Sequence, residues 1–196
     1  MSVVIVLGLA LAAAPQVDAD AATSMVRASV ASALEALEDP ALQGQENLQK
    51  RYARLRAVSD RAFDWPAMAQ RSLGAHWRDL DEAQRKRFVA TFVELLADHY
   101  LRQIDRFSGK ERVEYVGTEP NPEGVEVKMK IVTASREEVP IHFYVGPSQR
   151  VYDVSIEGVS IANHYRGSFD RILVNSDFEG LMKRLEQTLA SRAAAL

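Results

Sequence analysis

From Arg112 onward the hydrophobic repeat changes from about 3.6 residues to two, and this switch constrains the fold most. Val125, Val127, Met129 and Ile131 alternate with Glu126, Lys128 and Lys130, as a strand with one buried face requires. Val139, Ile141, Phe143 and Val145 alternate in the same way with Pro140, His142 and Tyr144. A shorter strand over Arg112–Gly117 precedes them, and a further strand runs from about Arg150 to Glu157. Asn121-Pro122-Glu123-Gly124 and Gly146-Pro147-Ser148 read as the turns. The spacing predicts a four-stranded antiparallel meander with one apolar face, and that face needs cover.

Helical segments on both sides supply the cover. Val26, Val30, Ala33, Leu34 and Leu37 recur at helical spacing over Met25–Leu37, and Asp39-Pro40 stops that helix. Leu48, Tyr52, Leu55 and Val58 mark a second helix from about Glu46 to Ser59. Asp64-Trp65-Pro66 opens a third, with Asp64 as cap, Pro66 in the first turn and Gly74 near its end. Asp81-Glu82-Ala83-Gln84 is an acidic capping box, from which the longest helix runs to about Phe107, with Gly109 as its stop. Its stripe is Phe88, Phe92, Leu95, Leu96, Tyr100, Ile104 and Phe107. After the strands, helices follow over roughly Ala162–Val174 and from Asp177 along Phe178, Leu181, Met182, Leu185 and Leu189. The order is α+β, no linker or repeat occurs within residues 25–190, and residues 20–196 read as a single domain.

The N-terminus speaks to location. Val3 to Ala14 is an apolar run of twelve residues, followed by Pro15 and by Val17-Asp18-Ala19, with small residues suited to cleavage after Ala19. At about 18 Å of helix the run is too short for a ~30 Å hydrocarbon layer. Residues 1–19 therefore read as a secretory signal peptide. Net charge is −3, with basic and acidic residues interleaved. That excludes the dominant phosphate-backbone term on which nucleic-acid binders rely. The chain has no cysteine, so disulfides and thiol chemistry are ruled out.

Catalytic patterns are weak. His76, His99, His142 and His164 never form an H-x-x-x-H pair, and no P-loop or dinucleotide fingerprint occurs. Ser155 or Ser160 with His164 and Asp153 would be an unusually local triad, and the G-x-S-x-G elbow is missing. The sequence does not read as an enzyme, and no metal or cofactor is expected. Periodicity alone leaves open whether the apolar stripes fill an interior or line a hollow.

Three groups of residues go further. They are Phe63-Asp64-Trp65-Pro66 through Leu73-Gly74-Ala75-His76-Trp77-Arg78; Gln84-Arg85-Lys86-Arg87-Phe88 through Phe92; and Tyr152-Asp153-Val154-Ser155-Ile156-Glu157-Gly158-Val159-Ser160 with Asn163-His164-Tyr165-Arg166. In order and spacing this set resembles the MlaC / toluene-tolerance family of periplasmic phospholipid-binding proteins, over about Phe63 to Leu185. The chain departs from the family pattern at Gln149-Arg150, where a Trp is common, and residues 20 to 60 share only helical character with it.

The resemblance implies helices packed on a curved sheet around an apolar lipid pocket. It implies a periplasmic shuttle that carries phospholipid between an outer-membrane lipoprotein–porin complex and an inner-membrane substrate-binding ring protein with its ABC transporter. That traffic maintains outer-membrane lipid asymmetry. Relatives associated with hopanoid biosynthesis share the motifs, so the lipid class stays open, as does a lipid-free envelope interaction module. The expected pocket wall is Phe92, Leu96, Tyr100, Val127, Met129, Ile141, Phe143, Val154 and Tyr165, each with plain core packing as its alternative role. Trp77 is placed at a helix junction or against lipid, and Arg78 and Arg166 near a phosphate or else in solvent or in a salt bridge.

Overall fold

A computed structural model describes residues 17–104 and 111–193. Its helices are α1 (Ala19–Glu38), α2 (Leu48–Ala62), α3 (Trp65–Leu73), α4 (Glu82–Ile104), α5 (Ile161–Leu173) and α6 (Phe178–Ala193). The strands are β1 (Arg112–Asn121), β2 (Gly124–Val132), β3 (Glu138–Val145), β4 (Val151–Ile156) and β5 (Val159–Ser160), all antiparallel in the order β1-β2-β3-β4-β5. The fold is α+β, as the period switch requires. The expected four strands become five because Glu157-Gly158 turns the chain back for two residues before α5. Residues 1–16 of the expected leader, and the expected helix end and stop at Phe107 and Gly109, lie outside the described residues.

Local chemistry explains the boundaries. In the capping box of α4 the Gln84 amide donates to the Asp81 carboxylate at 2.8 Å, and the Asp81 amide donates to Gln84 Oε1 at 3.0 Å. Two orphan amides are thus satisfied reciprocally. Asp64 caps α3 by accepting from the Ala67 amide at 3.1 Å, with Pro66 in the first turn. Asp177 accepts from the Gly180 amide at 2.8 Å at the start of α6. At the β1–β2 turn Gly124 has φ +154°, and a Cβ there would run into the Val145 carbonyl oxygen. Only glycine lets β3 approach this closely.

Register settles which sheet face is dry. Val127 pairs with Phe143 and Phe143 with Val154, so these side chains share a face that the helices cover. The opposite face is charged. Lys128 pairs with Glu119 at 2.6 Å, Lys130 with Glu138 at 2.6 Å, and His142 Nδ1 lies 2.7 Å from Glu126 Oε1. Buried residues from α1, α3, α4, α5, α6 and the sheet form one cluster. At its centre Phe88 and Phe92 stack at 5.6 Å, and Phe169 meets both edge-on at 5.7 and 6.0 Å. Tyr165 closes on Phe92 at 5.3 Å. Each such pair adds about 0.5–1.5 kcal/mol beyond the area it buries.

Candidate functional site

Helices α2, α3 and α4 do not close completely on the sheet. Between them lies a cavity of about 210 Å³. One long wall is the face of α4 that carries Val93, Leu96, Ala97 and Tyr100, spaced i, i+3, i+4 and i+7. Phe143 from β3 and Val154 and Ile156 from β4 face it. Phe63, Trp65, Met68 and Ile161 close the remaining sides, while Arg56 and Ser59 of α2 bring the polar atoms.

The polar groups are organised as a rim. Arg56 donates through Nε to Asp60 at 2.8 Å and through Nη1 to Glu94 of α4 at 2.8 Å, which ties α2 to α4. The Trp65 indole N–H donates to the same Asp60 oxygen at 2.8 Å, and its ring stacks on Phe63 at 4.6 Å. The indole therefore turns its apolar surface to the cavity and its one donor to the rim. Burial raises the Arg56 environment's cost, yet its hydrogen bonds to Glu94 and Asp60 leave the guanidinium more basic than usual. Burial, with the Asp153 charge adding to it, pushes the Tyr100 hydroxyl up. A neutral phenol suits an apolar wall.

Of the nine residues expected to line a pocket, Leu96, Tyr100, Phe143 and Val154 do so. The structure brings those four together. Phe92 and Val127 are both 0% exposed within the packed core, with Met129 beside them, and Ile141 is half-buried against that core. Tyr165 belongs to the aromatic cluster. Val93 and Ala97 escape the sequence reading because the aromatic line Phe88–Phe92 draws the eye to a neighbouring strip of the same helix. Their i, i+3, i+4, i+7 spacing with Leu96 and Tyr100 was the available signal. Phe63, Trp65 and Met68 stand in or beside a motif already quoted.

Ser160, Asp153 and His164 do not form a relay. The Ser160 hydroxyl donates to Asp153 Oδ2 at 2.5 Å and accepts from the Asn163 amide at 3.1 Å, capping α5. Asp153 also accepts from the Val154 and Ala162 amides at 2.8 and 3.1 Å. This carboxylate knots β4, β5 and α5 together. His164 is exposed and packs edge-on to Tyr165 at 5.6 Å. Among the described residues no group of three His, Asp or Glu side chains is placed to hold a metal. No helix among them is long and apolar enough to cross a membrane.

The family model described as MlaC protein matches residues 27–187. The chain belongs to the MlaC family. Its fold is similar to that of a phospholipid-binding protein from Ralstonia solanacearum solved in complex with a phospholipid, with a TM-score of 0.79 at 23% identity. The match covers 88% of this chain and 98% of that one. No curated protein sequence matches the chain.

The structure gives the MlaC motifs of this chain physical roles. Phe63 bridges in parallel to Val151, and the Asp64 amide donates to the Val151 carbonyl at 2.8 Å. Asp64 Oδ2 accepts from Ser148 at 2.8 Å, so one aspartate caps α3 and holds the β3–β4 hairpin against it. Trp77 sits under Arg85, whose guanidinium lies 5.5 Å from its ring, at the α3–α4 junction and outside the cavity.

Tyr165 provides a pH test of this packing. Burial pushes its hydroxyl up to about 12, whereas an unfolded tyrosine ionises near 10. Between about pH 10 and pH 12 the unfolded chain binds fewer protons than the folded one, so stability falls as pH rises through that window. Urea midpoints measured below pH 10 and within the window should show this loss. Tyr165→Phe should remove part of it, and identical pH profiles for the two proteins would contradict the assignment.

Proposed function

We propose that this MlaC-family chain is a periplasmic phospholipid carrier whose acyl-chain site is the cavity under α2. The observation that supports it is a cavity lined almost wholly by apolar surface, with Arg56, Ser59 and Tyr100 as its polar side chains and the Arg56–Asp60–Trp65 hydrogen bonds at its edge. Such a site shelters hydrocarbon and leaves a polar head group at the rim. Each CH₂ withdrawn from water gains about 0.8 kcal/mol, so two chains of about fifteen carbons gain roughly 20 kcal/mol before ordering costs. Holding lipid in water thus needs no covalent chemistry, and the chain acts by binding rather than turnover.

The size of the cavity adds a mechanical requirement. At about 210 Å³ it falls below the ~300–1,000 Å³ of typical small-molecule pockets, and a phospholipid has two long tails. The walls must part. The Arg56–Glu94 pair is partly exposed, and pairs of that kind are worth about 0–1 kcal/mol. It yields more readily than the aromatic core. Movement of α2 away from α4 would widen the site from the rim inward.

On this reading residues 1–19 are a leader that delivers the chain to the periplasm. Asp18 accepts from the amides of Asp20 and Ala21 at 3.0 Å, so cleavage after Ala19 would remove the cap of α1. The carrier would exchange lipid between an outer-membrane lipoprotein–porin complex and an inner-membrane ring protein with its ABC transporter, keeping the outer membrane asymmetric. Native mass spectrometry of the exported protein, released under mild conditions, tests the central claim. One phospholipid per chain is expected. Protein that is consistently lipid-free, with full affinity for envelope partners, would favour an interaction module.

A further inference from the structure

We propose that the groove between α3 and α5 is a docking site for an acidic segment of a partner protein, gripped by the guanidiniums of Arg78 and Arg166. The groove lies on the other face of α3 from the cavity. Trp65 and Met68 look into the cavity, whereas Gln70 and Arg71 line the groove, and α5 adds Asn163 and Arg166. The concavity measures about 580 Å³ and mixes polar and apolar surface in nearly equal parts.

Its charges are not balanced from within. Arg71 is answered by Glu123, which also borders the groove, and its guanidinium lies 4.0 Å from the Tyr152 ring. The neighbouring His76 and Asp170 face each other at 3.3 Å. Arg78 and Arg166 are exposed and form no ion pair with any described residue. Neither charge therefore serves the fold through a salt bridge. Arg166 is nonetheless positioned. It lies over Gly74, where a Cβ would stand 2.7 Å from Nε and 2.9 Å from Cζ. Gly74 has φ +56°, a conformation that suits glycine, and the absence of a Cβ there leaves room for the guanidinium at the helix end.

Two motif segments far apart in sequence, Leu73-Gly74 through Arg78 and Asn163 through Arg166, thus meet at a site that the lipid cavity does not use. The guanidinium fork matches a carboxylate in bidentate geometry. A recess admits a projecting carboxylate side chain better than it admits the flat surface of an anionic bilayer. These points favour an acidic protein segment over an anionic membrane. The inference is independent of the lipid reading, since a lipid-free module would use the same groove.

The test is a titration of the full chain, isotopically labelled at arginine Nε and followed by NMR. The probes are a short Glu/Ala peptide, the matching Gln/Ala peptide, inorganic phosphate and phosphatidylglycerol vesicles. The Glu/Ala peptide should shift the Arg78 and Arg166 signals saturably, and the Gln/Ala peptide should not. The double variant Arg78→Gln/Arg166→Gln should weaken binding about tenfold or more, the loss of one to two charge-assisted hydrogen bonds. Arg166→Lys, which keeps the charge without the fork, should cost a few-fold and guards against a folding defect in the double variant. Lipid content and thermal melting should stay as in the parent chain, so failure here is separable from failure of the carrier reading. Equal affinity for phosphate, shifts caused by the vesicles, or no response to the Glu/Ala peptide would each overturn the proposal.

Discussion

An Ala97→Trp variant is expected to fold normally and to retain less than a tenth of the phospholipid bound by the parent chain. Ala97 is half-buried on the cavity face of α4, flanked by Leu96 and Tyr100. Substitution there adds an indole to open space without deleting any buried contact, so the overpacking penalty of about 1–3 kcal/mol that accompanies insertion into a filled core is largely avoided. The same space is then denied to acyl chains, and each displaced CH₂ forfeits about 0.8 kcal/mol. Two lost methylenes already exceed the 1.4 kcal/mol that makes a factor of ten. Native mass spectrometry beside a thermal melt checks both halves. A well-folded variant still loaded with lipid would remove this cavity as the acyl-chain site.

Phe92→Ala should do something different. The ring is fully buried, stacked on Phe88 and met edge-on by Tyr165 and Phe169. Truncation removes apolar area and aromatic contacts together and leaves a void that the surrounding rings cannot fill. A loss of about 3–5 kcal/mol is expected, a large share of the ~5–15 kcal/mol available to a domain. Denaturant midpoints should fall with the slope unchanged. A loss below about 1 kcal/mol would show that the site is not packed as described. Together the variants probe two strips of one helix, one that borders the cavity and one packed in the aromatic core.

That separation is where sequence reading loses its grip. Phe92 and Leu96 lie one turn apart on a continuous apolar stripe, and nothing in their spacing says that one meets three aromatic rings while the other borders a cavity. Val127 and Phe143 are similar. They pair directly across β2 and β3, yet Val127 packs solidly and Phe143 reaches the opening. The choice depends on how far α2 and α3 stand from the sheet at each point. Contacts such as Ser148 with Asp64, which ties the β3–β4 hairpin to the start of α3, contribute to that distance, and their partners are remote in sequence. Asp153 makes the same point in reverse. Its neighbours Ser160 and His164 suggest chemistry on paper, but its carboxylate is consumed by two amides besides the Ser160 hydroxyl.

The residue order by itself determined the elements and their ends. The switch of period at Arg112, the reciprocal Asp81–Gln84 cap, Pro66 in the first turn of α3 and the glycine at the β1–β2 turn all act within a few residues of themselves, so their consequences can be read locally. Tertiary structure alone decided where the interior stays open and where arginines gather without partners. Both outcomes come from helices approaching a sheet or one another at a particular separation, a sum of many distant contacts that no single stretch of chain encodes.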